Sequence, residues 1–331
     1  MSQQVRRRHQ KNIQYEANNK MSESLGRGMV YRELYLRLTG KVDDPTNAAA
    51  TIGIGDEWAC VKRIEIIANN TDVLRSLSGN QLWRLDKCLY GICPPITPAI
   101  GAGSADPAFD SCLCLPFWMP KSVRPIDTAL DARELSDLKI EVTWGDHLDV
   151  SSTATGWITE PVIEVHSLES FNVKGPFSQW RVYNIQKEIT ADNPQFQVIL
   201  PVGPMYRAFL FNTVDGGKEA DDILNNVKIK SGTTIFADVP AELLRQIDTG
   251  FKCGVLTPYD SGAGNYDTLR RGTTYNNDCS WYYYDHVTDG FLTECIDTLG
   301  YSEFELELDV SVGAGTTYIN IMPLQIIPIR G

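Results

Sequence analysis

Residues 65–86 read EIIANNTDVLRSLSGNQLWRLD, and residues 227–248 read VKIKSGTTIFADVPAELLRQID. Laid over one another at a constant offset of 162, they match without a gap. Ile67 meets Ile229, Thr71 meets Thr233, Leu82 meets Leu244 and Asp86 meets Asp248. Conservative pairs fill in between: Val73 with Ile235, Leu74 with Phe236, Leu77 with Val239 and Leu85 with Ile247. Both windows also make the same physical sense. Each opens with a strand and turns tightly, at Asn69-Asn70 or Ser231-Gly232, residues that tolerate the positive φ of a two-residue hairpin. A second short strand follows, then a helix start. Ser78 with Gln81 three residues on reads as a capping box. In the second window Asp238 precedes Pro240 and Glu242, with proline in the first turn, where its missing N–H costs little.

The correspondence continues outward. Val30-Tyr31-Arg32 matches Met205-Tyr206-Arg207, and Asn12-Ile13-Gln14 resembles Asn184-Ile185-Gln186. Each half then crosses a loop-rich excursion, 94–107 in one and 258–277 in the other. An alternating strand comes next, with Leu138, Ile140 and Val142 in one half and Phe304, Leu306, Leu308 and Val310 in the other. A turn containing Gly145, or Gly313 and Gly315, leads to a last β-branched strand at 162–165 or 326–329. No alternation of strands with long helices supports a doubly wound parallel sheet. The expected fold is all-β, two tandem sandwiches with short helices, joined at 171–178 near Gly175-Pro176. The expected divisions are a basic N-terminal arm at 1–11, a first unit at 12–174 and a second at 175–331.

Composition narrows the function classes. With 43% hydrophobic residues in 331, the chain can build two cores, and no apolar run reaches the about 18–20 residues that span a bilayer. The basic start is not followed by an apolar segment, so no secretory signal is expected. Net charge is −12, but Arg6, Arg7, Arg8, Lys11, Lys20 and Arg27 against Glu16 and Glu23 give the first 30 residues +4. The body therefore carries −16, which argues against nucleic acid binding over its whole surface.

Motifs for chemistry are sparse. Cys88 and Cys93 are separated by four residues and Cys112 and Cys114 by one, unlike the two-residue spacing of zinc sites, so buried reduced thiols are the preferred reading. His9, His147, His166 and His286 fall into no ligand or triad spacing. The acidic run Asp215, Glu219, Asp221 and Asp222 lacks the order of a calcium loop and reads as a solvated turn. Trp281-Tyr282-Tyr283-Tyr284 and the 112–118 stretch read as strands with rings packed inward, although an aromatic platform for sugars would use the same residues.

The paired strand–hairpin–strand–helix blocks resemble the double jelly-roll major capsid proteins of corticovirus- and tectivirus-type bacteriophages. That resemblance implies two eight-stranded jelly rolls and no catalytic residue or cofactor. It implies a homotrimer forming a pseudo-hexagonal capsomer beside neighbouring capsomers and minor capsid or vertex proteins, in an icosahedral and membrane-containing virion assembled in the host cytoplasm. A basic arm of Arg6, Arg7, Arg8 and Lys11 would then face an internal membrane or the genome. The alternative from another class is an extracellular carbohydrate-binding or glycosidase-like β-sandwich protein, which would need paired carboxylates in a cleft.

Overall fold

The computed structural model describes residues 4–44, 56–90, 106, 108–175, 177–245 and 280–327, in two compact units that divide between Arg181 and Val182. The excursions at 94–107 and 258–277 lie outside these residues apart from Asp106, as do Cys93, Cys253 and the aligned Ile247 and Asp248.

The first unit holds β1 (Gln4–Gln14), β2 (Lys20–Ser24), β3 (Val30–Asp43), β4 (Val61–Ala68), β5 (Asp72–Leu77), α1 (Gly79–Tyr90), β6 (Ala108–Pro116), the short β7 (Leu130–Asp131), β8 (Leu138–Trp144) and β9 (Gly156–Phe171). One of its sheets runs β1-β9-β3-β6 and the other β2-β8-β4-β5. After β10 (Gln179–Tyr183), the second unit continues with β11 (Ile185–Ile189), β12 (Asn193–Ile199), β13 (Met205–Asp215), the short β14 (Lys218–Glu219), β15 (Leu224–Ser231), β16 (Thr234–Pro240), α2 (Ala241–Leu244), β17 (Trp281–Asp285), the short β18 (Ile296–Asp297), β19 (Glu305–Val310) and β20 (Thr317–Ile327). Its sheets run β11-β20-β13-β17 and β12-β19-β15-β16. If the eight long strands of each unit are lettered B to I, both units have the orders B-I-D-G and C-H-E-F. Each is therefore a complete jelly roll.

Strand alternation builds each core. In β3, Leu34, Leu36 and Leu38 are buried against Val165 and Ile163 of β9, while Tyr35 and Arg37 point out. The alternating strands expected at 138–142 and 304–310 are β8 and β19, with Leu138, Ile140 and Val142, and Phe304, Leu306, Leu308 and Val310, all buried. Their outward Glu141 and Glu307 are covered too, because long lysine side chains lie over them: Lys20 and Lys139 in one unit, Lys228 and Lys230 in the other.

The repeat is real but steps by one residue. Both hairpins carry a bulge at the same place, with Leu74 and Phe236 as the extra residues of β5 and β16, 162 apart. The preceding strands instead match at 163: Ile64 and Ile66 correspond to Val227 and Ile229, all four buried. The turns absorb the difference. Asn69, Asn70 and Thr71 form a three-residue loop, with φ of 51° and 66° at the asparagines. The second hairpin has only Gly232 and Thr233, with φ of 55° at the glycine. The ungapped alignment thus pairs Ile67 with Ile229 one position out of register.

Two further expectations change. The Ser78 capping box forms as expected, with Gln81 N–H donating to Ser78 Oγ at 3.2 Å and Ser78 N–H donating to Gln81 Oε1 at 3.0 Å. Asp238, in contrast, does not cap α2. Pro240 occupies the N-cap with no side-chain bond, and Asp238 accepts from Asn226 Nδ2 at 2.8 Å on the sheet. Residues 4–11, expected as an arm ahead of the jelly roll, are the first part of its strand β1, paired to β9 from Gln4 opposite Phe171 onward. The sequence gives no apolar alternation there because β1 is an exposed edge strand whose side chains are charged on both faces.

Candidate functional site

A jelly roll presents its sheet edges, its outer faces and its end loops. The strand edges here are closed to different degrees. β6, the edge of its sheet, is covered by α1: the Asp86 carboxylate accepts from the Cys114 N–H at 2.6 Å, where a neighbouring strand would otherwise bond. Beside it Glu33 receives the Tyr90 and Trp118 donors at 3.1 and 2.7 Å and the Tyr35 hydroxyl at 2.5 Å. Burial, opposed by the Cys114 N–H and reinforced by the nearby Glu33 charge, pushes the Asp86 carboxyl well above its ordinary range. Its Oδ1 is buried with no hydrogen-bond partner.

That shift makes a prediction. A carboxyl whose folded pKa is raised holds its proton in the native state after the unfolded chain has lost it. Stability from this group therefore falls as pH rises above the ordinary value of 3.8. Asp86→Asn keeps the carbonyl acceptor for Cys114 and removes the buried charge. It should raise the melting temperature by several degrees at pH 8 and by little at pH 4, since about 1 kcal/mol corresponds to roughly 2–4 °C in a domain this size. Equal shifts at both pH values would show that the carboxyl is not strained by its charge.

The basic residues expected to act together are separated by strand alternation. Arg6 turns to the buried Glu169, with Nη2 at 2.6 Å and Nε at 3.1 Å from Oε2. Gln10 joins it by donating to Glu169 Oε1 at 2.6 Å. Arg7 points to the opposite face and lies over the Tyr35 ring at 5.6 Å. Arg8 is exposed, and Lys11 sits 3.4 Å from Glu23. A bulge between His9 and Lys11 swaps the faces of the residues on either side of it. The four do not form one cationic patch.

The other candidates resolve into supports for turns and sheets. Asp215 accepts from the Ala314 and Gly315 N–H groups at 3.0 and 2.9 Å and from Thr317 Oγ1 at 2.9 Å, which fixes the turn before β20. Glu219 receives Trp281 Nε1 at 2.8 Å and Ser280 Oγ at 2.9 Å. Trp281, Tyr282 and Tyr283 are all buried, so they offer no open platform. The outward Cys112 and Cys114 of β6 are partly buried, and burial pushes the Cys112 thiol up to about 11. Among the described residues no three His, Cys, Asp or Glu side chains converge as metal ligands. No helix among them is long and apolar enough to cross a membrane.

A further device recurs in both units. Tyr31 donates to the Gly26 carbonyl at 2.5 Å and Tyr206 to the Pro201 carbonyl at 2.6 Å, each five residues upstream. Arg32 and Arg207 follow as bulged residues at the start of β3 and β13. The Arg32 carbonyl accepts from Phe117 N–H at 2.7 Å, and the Arg207 carbonyl from His286 N–H at 2.9 Å. A Tyr-Arg pair opening an apolar strand in both halves was the available signal. These residues are 175 apart, against 162–163 in the hairpins, because the first unit uses more residues between β3 and β4. The Asn-Ile-Gln match does not survive this register. Lys11 and Leu36 flank Val165 from either side, as Ile185 and Phe211 flank Ile321, so Lys11, not Ile13, stands where Ile185 stands.

No protein-family model matches the sequence, and no curated protein matches it. Solved structures do. The chain is similar to the major capsid protein of Sulfolobus Turreted Icosahedral Virus with a TM-score of 0.70 at 12% identity, covering 98% of this chain and 97% of that one. It is similar to the PBCV-1 virus capsid protein with a TM-score of 0.65 at 11% identity, covering 98% and 94%. It is similar to the major capsid protein P2 of Bacteriophage PM2 with a TM-score of 0.60 at 14% identity, covering 100% of both chains. The fold they share with this chain, from end to end, is the double jelly roll.

Proposed function

We propose that the chain is the major capsid subunit of an icosahedral virion. Three copies would form a capsomer whose six jelly rolls approximate a hexagon, since two like domains in each of three subunits present six like sides. The observation that carries this reading is the duplication itself. Two complete jelly rolls share strand order, hairpin bulge and Tyr-Arg device, and the likeness to major capsid proteins extends over the full chain. Its role is geometric: sandwich cores give rigidity and the sheet edges and faces give contacts. A glycosidase-like protein would need a pair of open carboxylates. Here the buried Glu33, Glu169 and Asp285 are turned to Tyr, Trp, Arg and Gln donors. Arg6 and Lys11 are engaged with Glu169 and Glu23, which leaves Arg7 and Arg8 of the basic start for contacts beyond the chain. Contacts with vertex proteins rest on the resemblance alone.

Size-exclusion chromatography with light scattering tests the proposal. A stable species of about 111 kDa, three chains of 37.0 kDa, is the expected result. A monodisperse monomer at high concentration would overturn it.

A further inference from the structure

Among the described residues, β1 and β16 each end a sheet and pair along one edge. β16 is exposed or half-buried throughout, and β1 is exposed except at a few positions. An unpaired edge is a template for another strand, and soluble proteins rarely leave a long one uncovered. The first unit shows how the matching edge is closed. Its strand β5, the counterpart of β16, is flanked by Gln179–Arg181, the last residues of that unit. Arg75 of β5, 2% exposed, donates to the Trp180 carbonyl and lies over the Trp180 ring at 4.4 Å. In the second unit the residue in Arg75's place is Ala237, at the offset of 162 that fits these strands.

The chain holds a second copy of the segment that closes β5. At the offset of 175 set by the two Tyr-Arg devices, Gln179-Trp180-Arg181 falls on Gln4-Val5-Arg6, with Gln and Arg identical. Beyond this segment the first matching paired residues are Lys11 and Ile185, and β1 carries its bulge at Gln10 just before them. Among the described residues this segment is paired along one edge, to β9.

We infer that Gln4–Arg8 of one copy pairs along the open edge of β16 in a second copy. This rests on the capsomer reading and specifies its contact. The contact is head to tail, the kind that closes into a ring when the rotation permits, and three copies close it here. Charge fits the assignment. The first unit's closing contact has its cation on β5, as Arg75. The proposed contact has Arg7 and Arg8 on the incoming strand and Asp238 and Glu242 on and after β16, half exposed at 50% and 45% and ion-paired within the chain to Lys228 and Arg245. Apolar surface fits too: Val5, in Trp180's place, is 49% exposed, and Ile235 on β16 is 56% exposed. The contact turns the basic start toward the acidic body of a neighbour.

A thiol cross-link tests the pairing. Val5 and Ala237 correspond to Trp180 and Arg75, so the full-length V5C/A237C variant should give covalent dimers and trimers with a short bismaleimide. Peptide mapping should find the thiols introduced at positions 5 and 237 joined to each other, and neither single variant should give that link. A chain that forms the 111 kDa trimer but no such link overturns the pairing and leaves the capsomer reading standing. So does a link between 5 and 237 within one chain. A chain that remains monomeric overturns the capsomer reading first. In parallel, R7E/R8E should raise the concentration at which trimers dissociate at least tenfold, with unchanged melting of the monomer. If that variant keeps its trimer and loses only binding to anionic vesicles or nucleic acid, the arginines line the shell and the pairing is wrong.

Discussion

Replacing Asp285 by alanine is expected to destabilise the second unit by about 3–5 kcal/mol, since breaking a buried ion pair takes the counter-charge away from a buried cation. Arg207 and Asp285 are 2% and 6% exposed as side chains and face each other across β13 and β17. The guanidinium Nε and Nη2 both lie 3.4 Å from the carboxylate, which also accepts from Val287 N–H at 3.1 Å and the Tyr283 hydroxyl at 3.3 Å. Removing the carboxylate strips Arg207, Tyr283 and Val287 of their common acceptor. The melting temperature should fall by roughly 10 °C. A loss under about 2 °C would mean that water reaches Arg207 and that the pair is not sealed.

The Arg37–Asp110 pair supplies the control. Its geometry is better, with two bonds of 2.8 and 2.6 Å, yet the side chains are 45% and 34% open to solvent. Asp110→Ala should therefore cost less than about 1 kcal/mol. Burial, not bond length, decides which of the two pairs matters. The Tyr-Arg repeat also shows that one backbone device can be completed in two ways. Arg207 takes a carboxylate, whereas Arg32 lies over the Trp118 ring at 4.8 Å and donates to Ser170 Oγ at 2.5 Å.

These comparisons mark what a sequence can disclose. Strand alternation was legible wherever one face is apolar, as in β8 and β19, because the side-chain period of two leaves a clean pattern. The duplication was legible because the hairpin and the helix start must satisfy local rules, such as the Ser78 capping box. Its one-residue step was not, since a two- and a three-residue turn can both be built from Asn, Gly and Thr. The strand identity of residues 4–11 was hidden for a different reason. An edge strand half in solvent needs no apolar face, so Arg6, Arg7 and Arg8 read as a tail. Nor could charge spacing reveal that Arg6 binds Glu169, a residue 163 positions away. Contacts that depend on which strands end up adjacent leave no local signature.

Phe304→Ala should rank with Asp285→Ala, for a different cause. The ring is wholly buried, 4.7 Å by centroid from Tyr206 and 6.1 Å from Phe236, and the residue's carbonyl accepts from Leu200 N–H at 2.8 Å. Truncation removes apolar surface and leaves a cavity between strands that their backbone bonds keep from collapsing, at a cost of about 3–5 kcal/mol. With two units in the chain, a single melting curve need not be two-state, so hydrogen exchange read peptide by peptide is the better measurement. Protection should drop in 205–215 and 305–310 and persist in 30–43; a uniform loss would mean that the units unfold as one. Ile235→Ala is the informative companion, because Ile235 is exposed in the single chain and should change its stability by less than about 0.5 kcal/mol. If β16 is covered in the trimer, the same substitution should weaken association there, separating a residue that holds the fold from one that holds copies together.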